Sequence, residues 1–206
     1  MQRTRRAILD HLKRHPGASL DELSGVTGTA EITTRSHVNL LVEQGLLSAK
    51  EERGRRGRPF RRYHLTDDAE AFFPKQYDQL AVDLLTGMNV LGGTAGVSAL
   101  IEHVAGRMAE MHRARVEGLP LDRRVAAVSE IVDEQGGAAE WEVTPEGYIV
   151  RERNCPYHTV SRQDDHVCEL DRQMIANLTG TSVSVSQRLR DGADSCVFVI
   201  TKESSS

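Results

Sequence analysis

The sequence predicts an α+β protein: an N-terminal winged helix-turn-helix, a linking helix, and a C-terminal α+β domain with an antiparallel sheet. Three observations predict it. Residues 1–66 show three short helical periods and then two alternating stretches around an arginine-rich turn. The same residues hold 13 Lys/Arg against 7 Asp/Glu, whereas the remaining 140 hold 13 against 23. The last third changes to a period of two and contains all three cysteines, Cys155, Cys168 and Cys196. A basic module on an acidic body suggests a nucleic-acid reader joined to something that is not one. The boundaries this gives are 1–66 for the DNA-binding domain, 67–90 for a connecting and dimerisation helix, and 91–206 for the C-terminal domain.

From Arg5 to His15 the apolar residues Ala7, Ile8, Leu9 and Leu12 have helical spacing, and Pro16-Gly17 ends the helix. Ser19 followed three residues later by Glu22 is a capping-box pattern. It opens a second short helix through Leu20, Leu23 and Val26, which Gly25 and Gly28 break. A third helix is predicted over Ile32 to Gln44, with Val38, Leu41 and Val42 inward and Gly45 at its end. Leu47 to Lys50 then reads as a strand, ERGRRGRP as a turn, and Phe60 to Thr66 as the return strand. Such a hairpin after a helix-turn-helix is a wing. Arg53, Arg55, Arg56 and Arg58 in its turn can lie along phosphates and supply salt-dependent affinity for double-stranded DNA. Base reading falls to the first turns of the third helix, where Thr33, Arg35, Ser36 and Asn39 remain once the apolar face is assigned.

Asp67 to Leu85 reads as the connecting helix, with more apolar surface (Tyr77, Leu80, Val82, Leu84, Leu85) than a lone linker hides. It pairs either with its twin in a homodimer or with its own C-terminal domain. Gly87 to Gly96 has four glycines and reads as a loop; Val97 to Val116 and Leu121 to Gln135 read as helices. AEWEV and GYIVRER make a hairpin around Pro145-Glu146-Gly147, Cys168 to Leu178 is helical, and SVSVSQRL and CVFVI alternate again. No run approaches the ~20 consecutive apolar residues of a membrane span, and the N-terminus lacks the apolar core of a secretory signal, so the expected location is cytoplasmic, with no membrane partner.

In a reducing compartment three cysteines point away from disulfides and toward ligation. On the predicted elements Cys155 leaves a strand, Cys168 opens a helix and Cys196 begins the last strand. Element ends at one edge of a small sheet can converge. Cys168 at a helix N-terminus is expected to have its thiolate favoured by the helix dipole, and Pro156 stiffens the chain after Cys155. Three thiolates and a histidine suit tetrahedral zinc, and a [4Fe-4S] cluster tolerates a non-cysteine fourth ligand; spacing does not separate the two. His158 is the first choice for the fourth position and His166 the second, with water, a small thiol or Asp165 behind them. Catalysis with Cys155 as nucleophile and His158 as base is disfavoured, since no orienting group or oxyanion hole accompanies the pair. The protein is not expected to be an enzyme.

The run GRPFRRYHLTDDAEAFFPKQYDQLAVDLL resembles the wing and following helix of bacterial winged-helix regulators of the DeoR/ArsR-like group that includes SufR. NCPYHTV, a cysteine twelve residues on, and a Gly-Asp turn before a final cysteine and apolar strand look like the cluster domain of SufR-type regulators. Cys155, Cys168 and Cys196 match the C-x12-C-x27-C pattern of members with three ligating cysteines. Others carry a fourth cysteine, where this chain has Ser182 nearby. The resemblance implies a [4Fe-4S] cluster on the three cysteines. It also implies a homodimer on an operator and repression of iron-sulfur assembly genes by the cluster-bound form. The alternative is a zinc-stabilised winged-helix regulator that senses a small molecule.

Overall fold

A computed structural model describes residues 3–52 and 59–202. The chain divides into two compact units, residues 1–75 and 76–206.

The first unit begins with α1 (Arg3–Arg14), a two-residue strand β1 (Ala18–Ser19), α2 (Leu20–Thr27) and α3 (Glu31–Glu43). Strands β2 (Leu47–Glu52) and β3 (Phe60–Leu65) follow, and the sheet order is β1-β3-β2, antiparallel throughout. The Ser19 capping box forms as its sequence predicts: the Glu22 amide donates to Ser19 Oγ at 3.3 Å and the Ser19 amide to Glu22 Oε2 at 2.7 Å. Ile8, Leu9, Leu12, Leu23, Val38, Leu41, Leu46, Leu47 and Tyr63 make one core. Each fully buried aliphatic side chain contributes about 1.5–3 kcal/mol. Val42, expected inward, is instead 37 % exposed, because α3 turns that position away from the line of Val38 and Leu41.

Residues Asp67–Phe72 form a 3-10 helix, and α4 starts only at Tyr77. The single connecting helix expected from Asp67 is therefore interrupted. The cause is Pro74, which biases Phe73 to an extended backbone, φ −96° and ψ 140°. Lys13 and Lys75 tie the 3-10 segment down through Glu70, whose carboxyl they hold at about 2.

The second unit opens with α4 (Tyr77–His112), followed by α5 (Leu121–Glu134), β4 (Ala139–Thr144) and β5 (Gly147–Glu152). Then come a short α6 (His158–Ser161), α7 (Glu169–Thr179), β6 (Val183–Gln187) and β7 (Cys196–Thr201). The sheet runs β4-β5-β7-β6 with every neighbouring pair antiparallel. Helices α5 and α7 bury Val125, Val128, Ile131, Met174 and Ile175 with Val150, Phe198 and Ile200 of the sheet.

The loop expected from Gly87 to Gly96 contracts to one residue. Gly93 has φ 63° and ψ −170°, a conformation open essentially to glycine alone. A Cβ on Gly96 would lie 3.7 Å from the Met88 carbonyl oxygen, whereas residues eight apart in a straight helix are separated by about 12 Å. The two arms of α4 thus fold toward one another, and Leu85 joins Val97, Ile101 and Ala105 in one cluster. By length and composition α4 is apolar enough to cross a membrane, since no charge interrupts Leu84 to Ile101. The reversal at Gly93 breaks the continuous rod that a span requires.

Candidate functional site: a DNA-reading face and a cysteine cavity

Helices α2 and α3 meet through a hydroxyl cluster. Thr34 is fully buried and its Oγ1 lies 2.8 Å from Thr29 Oγ1 and 3.2 Å from Thr27 Oγ1, while Gly28 caps α2 with φ 63°. That turn sets the pitch of α3. Thr33, Arg35, Ser36 and Asn39 all lie exposed on α3, as predicted. Arg35 pairs with Glu31 one turn earlier, so it must exchange that partner to reach a base. Phe60 and Arg61 of β3 line the same depression as Arg35 and Asn39. Ile32 is 79 % exposed at the start of α3; an apolar side chain there suits a thymine methyl. The sequence singles out neither Ile32 nor Arg61, because an isolated apolar residue and one arginine among many carry no distinguishing pattern. Arg62, the next residue, is engaged by the Gly17 carbonyl at 2.9 Å and by Glu52 at 3.3 Å. Arg53, Arg55, Arg56 and Arg58 lie outside the described residues.

In the second unit the three cysteines come together. Cys155 follows β5, Cys168 sits at the N-cap of α7 and Cys196 begins β7, and all three line one cavity with Glu152 and Asp171. The cavity is tight, with about 20 Å³ of room, close to that of one water. All three thiols are free.

Glu152 is the residue that sequence reasoning missed. It ends β5 directly opposite Cys196, is 1 % exposed, and its Oε1 has no hydrogen-bond partner among the described residues. Burial, reinforced by the Asp171 charge, pushes its carboxyl up to about 9. Burial also raises Asp171, which is one turn into α7 from Cys168, to about 6. Period-two alternation places Val150 and Glu152 on one face, so Glu152 is legible as an inward acid, a signal hidden by the surrounding Arg151 and Arg153.

Burial likewise raises all three thiols, Cys196 to about 11. The thiolate preference expected at Cys168 from its helix is therefore corrected: desolvation outweighs it. Polar groups work against that burial at each sulfur. The Leu189 amide donates to Cys196 Sγ at 3.4 Å, Tyr157 and Ser161 favour the Cys155 thiolate, and Arg190 and Arg188 favour that of Cys168.

Neither histidine lines the cavity. His158 is exposed on α6, and the His166 ring faces Asp164, Nδ1 to Oδ1 at 2.8 Å. Among the described residues the one triad of His, Cys, Asp or Glu ligand atoms lying within 4.8 Å of one another is Asp164, Asp165 and His166. The three cysteine sulfurs are thus spread wider than the about 3.8 Å that tetrahedral zinc with its thiolates demands. The donors that border the cavity are three sulfurs and one carboxylate oxygen without a partner among the described residues, a set of the kind that ligates iron or zinc.

Residues 1–48 match the family model described as winged helix-turn-helix DNA-binding. No curated protein and no solved structure gives a match to the chain. With α1 to α3 and the β2–β3 hairpin in place, the N-terminal unit is a winged helix-turn-helix DNA-binding domain, the module of a transcriptional regulator.

Proposed function

We propose that the protein is an iron-sulfur transcriptional regulator, a homodimeric repressor of iron-sulfur assembly genes whose operator affinity depends on cluster occupancy. The observation that carries this reading is the convergence of Cys155, Cys168 and Cys196, from three separate elements, on one cavity with a buried carboxyl whose Oε1 has no hydrogen-bond partner among the described residues. Three thiols scattered as core fillers have no reason to share a wall. A bound cluster would supply redox and iron sensitivity.

The chain's own residues give the coupling. Holding Cys155 and Cys168 together fixes residues 155–168, whose Tyr157, Val160 and Val167 pack on Leu85, Val97 and Ile101 of α4. The opposite face of the first arm of α4 presents Tyr77, Leu80, Leu84 and Leu91, each more than half exposed. Their spacing of three, four and seven is that of a coiled-coil seam, which suits pairing with a second copy. Order at the cysteine loop therefore biases the helix that follows the DNA-binding unit, and DNA must in turn favour the cluster-bound form by the same coupling energy.

The test is purification without oxygen, measurement of iron and sulfide per chain, and operator binding by apoprotein and reconstituted protein at one salt concentration. Equal binding by the two forms overturns cluster control. A colourless protein with stoichiometric zinc replaces the cluster reading with the zinc-stabilised one.

A further inference from the structure

The geometry points to Glu152 as the fourth ligand of the group that Cys155, Cys168 and Cys196 hold, an oxygen donor in a site otherwise made of sulfur. The inference deepens the cluster reading and rests on it.

Position is the first argument. Glu152 and Cys196 are paired residues of β5 and β7, so their side chains leave the sheet on the same face with Cβ atoms about 4.5–5.5 Å apart. Partnership is the second. A buried carboxylate oxygen normally finds a donor or a cation, yet Glu152 Oε1 has no hydrogen-bond donor among the described residues, and Glu152 borders the cysteine cavity. Elimination is the third: His158 is exposed, His166 is engaged by Asp164, and neither lines the cavity. Asp171 does line it, but from α7, whereas Glu152 faces Cys196 directly across the sheet and carries the buried oxygen that lacks a partner among the described residues.

Positive charge lies in the same place, though less of it than of negative. Three thiolates and a carboxylate bring four negative charges, and Arg188 lines the cavity while Arg190 acts on Cys168. Ligation itself changes no oxidation state. A carboxylate oxygen donates an electron pair to iron, and any proton on Glu152 leaves to solvent. Oxygen is a harder ligand than thiolate and less suited to an iron-sulfur centre, so the iron it holds is the first to be lost.

The experiment uses the full chain as wild type, E152Q, E152D and D171N, loaded anaerobically with isotopically enriched iron and sulfide and followed by Mössbauer spectroscopy. The wild type is expected to show one iron distinct from three thiolate-bound ones. E152Q should lose that signature and release iron in air about tenfold faster, while E152D and D171N keep it. Circular dichroism of the apoproteins checks folding, and E152A, which also removes the oxygen donor and is expected to lose the signature, takes the place of E152Q if that variant does not fold. A wild-type cluster with no distinct iron, one whose distinct iron survives E152Q, or one that loses it in D171N and not in E152Q, overturns the assignment alone. A wild type that takes up no iron and sulfide overturns the cluster reading together with it.

Discussion

Glu152 and Cys196 stand opposite each other at the end of β5 and the start of β7, so an acid only 1 % exposed shares a sheet face with a cavity thiol. Burial of that acid, reinforced by the Asp171 charge, is expected to make the apoprotein sensitive to pH. Glu152 is raised to about 9 from an ordinary value of 4.5, and Asp171 is raised to about 6. An acid with a raised folded pKa stabilises fully below its unfolded value, and that stability is lost as pH climbs toward the folded value. Apoprotein Tm should therefore fall from pH 5 to pH 9. E152Q should match wild type at pH 5 and exceed it at pH 8, as measured by thermal unfolding. A variant that is less stable at both values would show that Glu152 is bonded in a way the geometry does not contain.

Each cysteine contributes one bond to the proposed group, so C155S, C168S and C196S should each abolish stoichiometric iron and sulfide. Operator affinity in each should match that of wild-type apoprotein. Fluorescence anisotropy at one salt concentration measures it. Full cluster content in any of the three would remove that residue from the site.

Wing and recognition helix should fail in different ways. Replacing Arg55 and Arg56 with alanine should weaken all sequences alike and reduce the slope of log K against log salt by about 0.9 per lost phosphate contact. Asn39→Ala should instead cost about 1–3 kcal/mol on the operator and relax preference at one base position. A salt titration on operator and unrelated DNA separates them.

The buried Thr34 hydroxyl joins Thr27 and Thr29 at the helix-turn-helix corner. Thr34→Val keeps the shape and removes the Thr34 bonds, leaving Thr27 and Thr29 bonded to each other. The N-terminal unit should lose about 1–2 kcal/mol, read by urea denaturation, and operator affinity should fall with it.

Leu80 and Leu84 lie one turn apart on the exposed stripe of α4. If that stripe joins two copies, Leu84→Glu should place a charge in an apolar seam and give a monomer by light scattering. Its melting temperature at low concentration should stay near that of wild type, since the side chain is 62 % exposed within one chain.

Much of this protein is determined by signals local to the chain. The Ser19–Glu22 capping box, the period of α1 and α3, and the alternation of β3, β5 and β7 depend on neighbours within a few residues, and sequence displays those directly. The spacing of Cys155, Cys168 and Cys196 also places each at an element end. Tertiary structure decides what those signals do not encode. Pro74 cuts the connecting helix where its apolar pattern continues, and Gly93 reverses a run whose glycines alone read as a loop. Above all, the partner of Cys196 comes from strand register. Forty-three residues separate it from Glu152 in the chain, and only the pairing of β5 with β7, fixed by which faces of the sheet are buried, brings the two together.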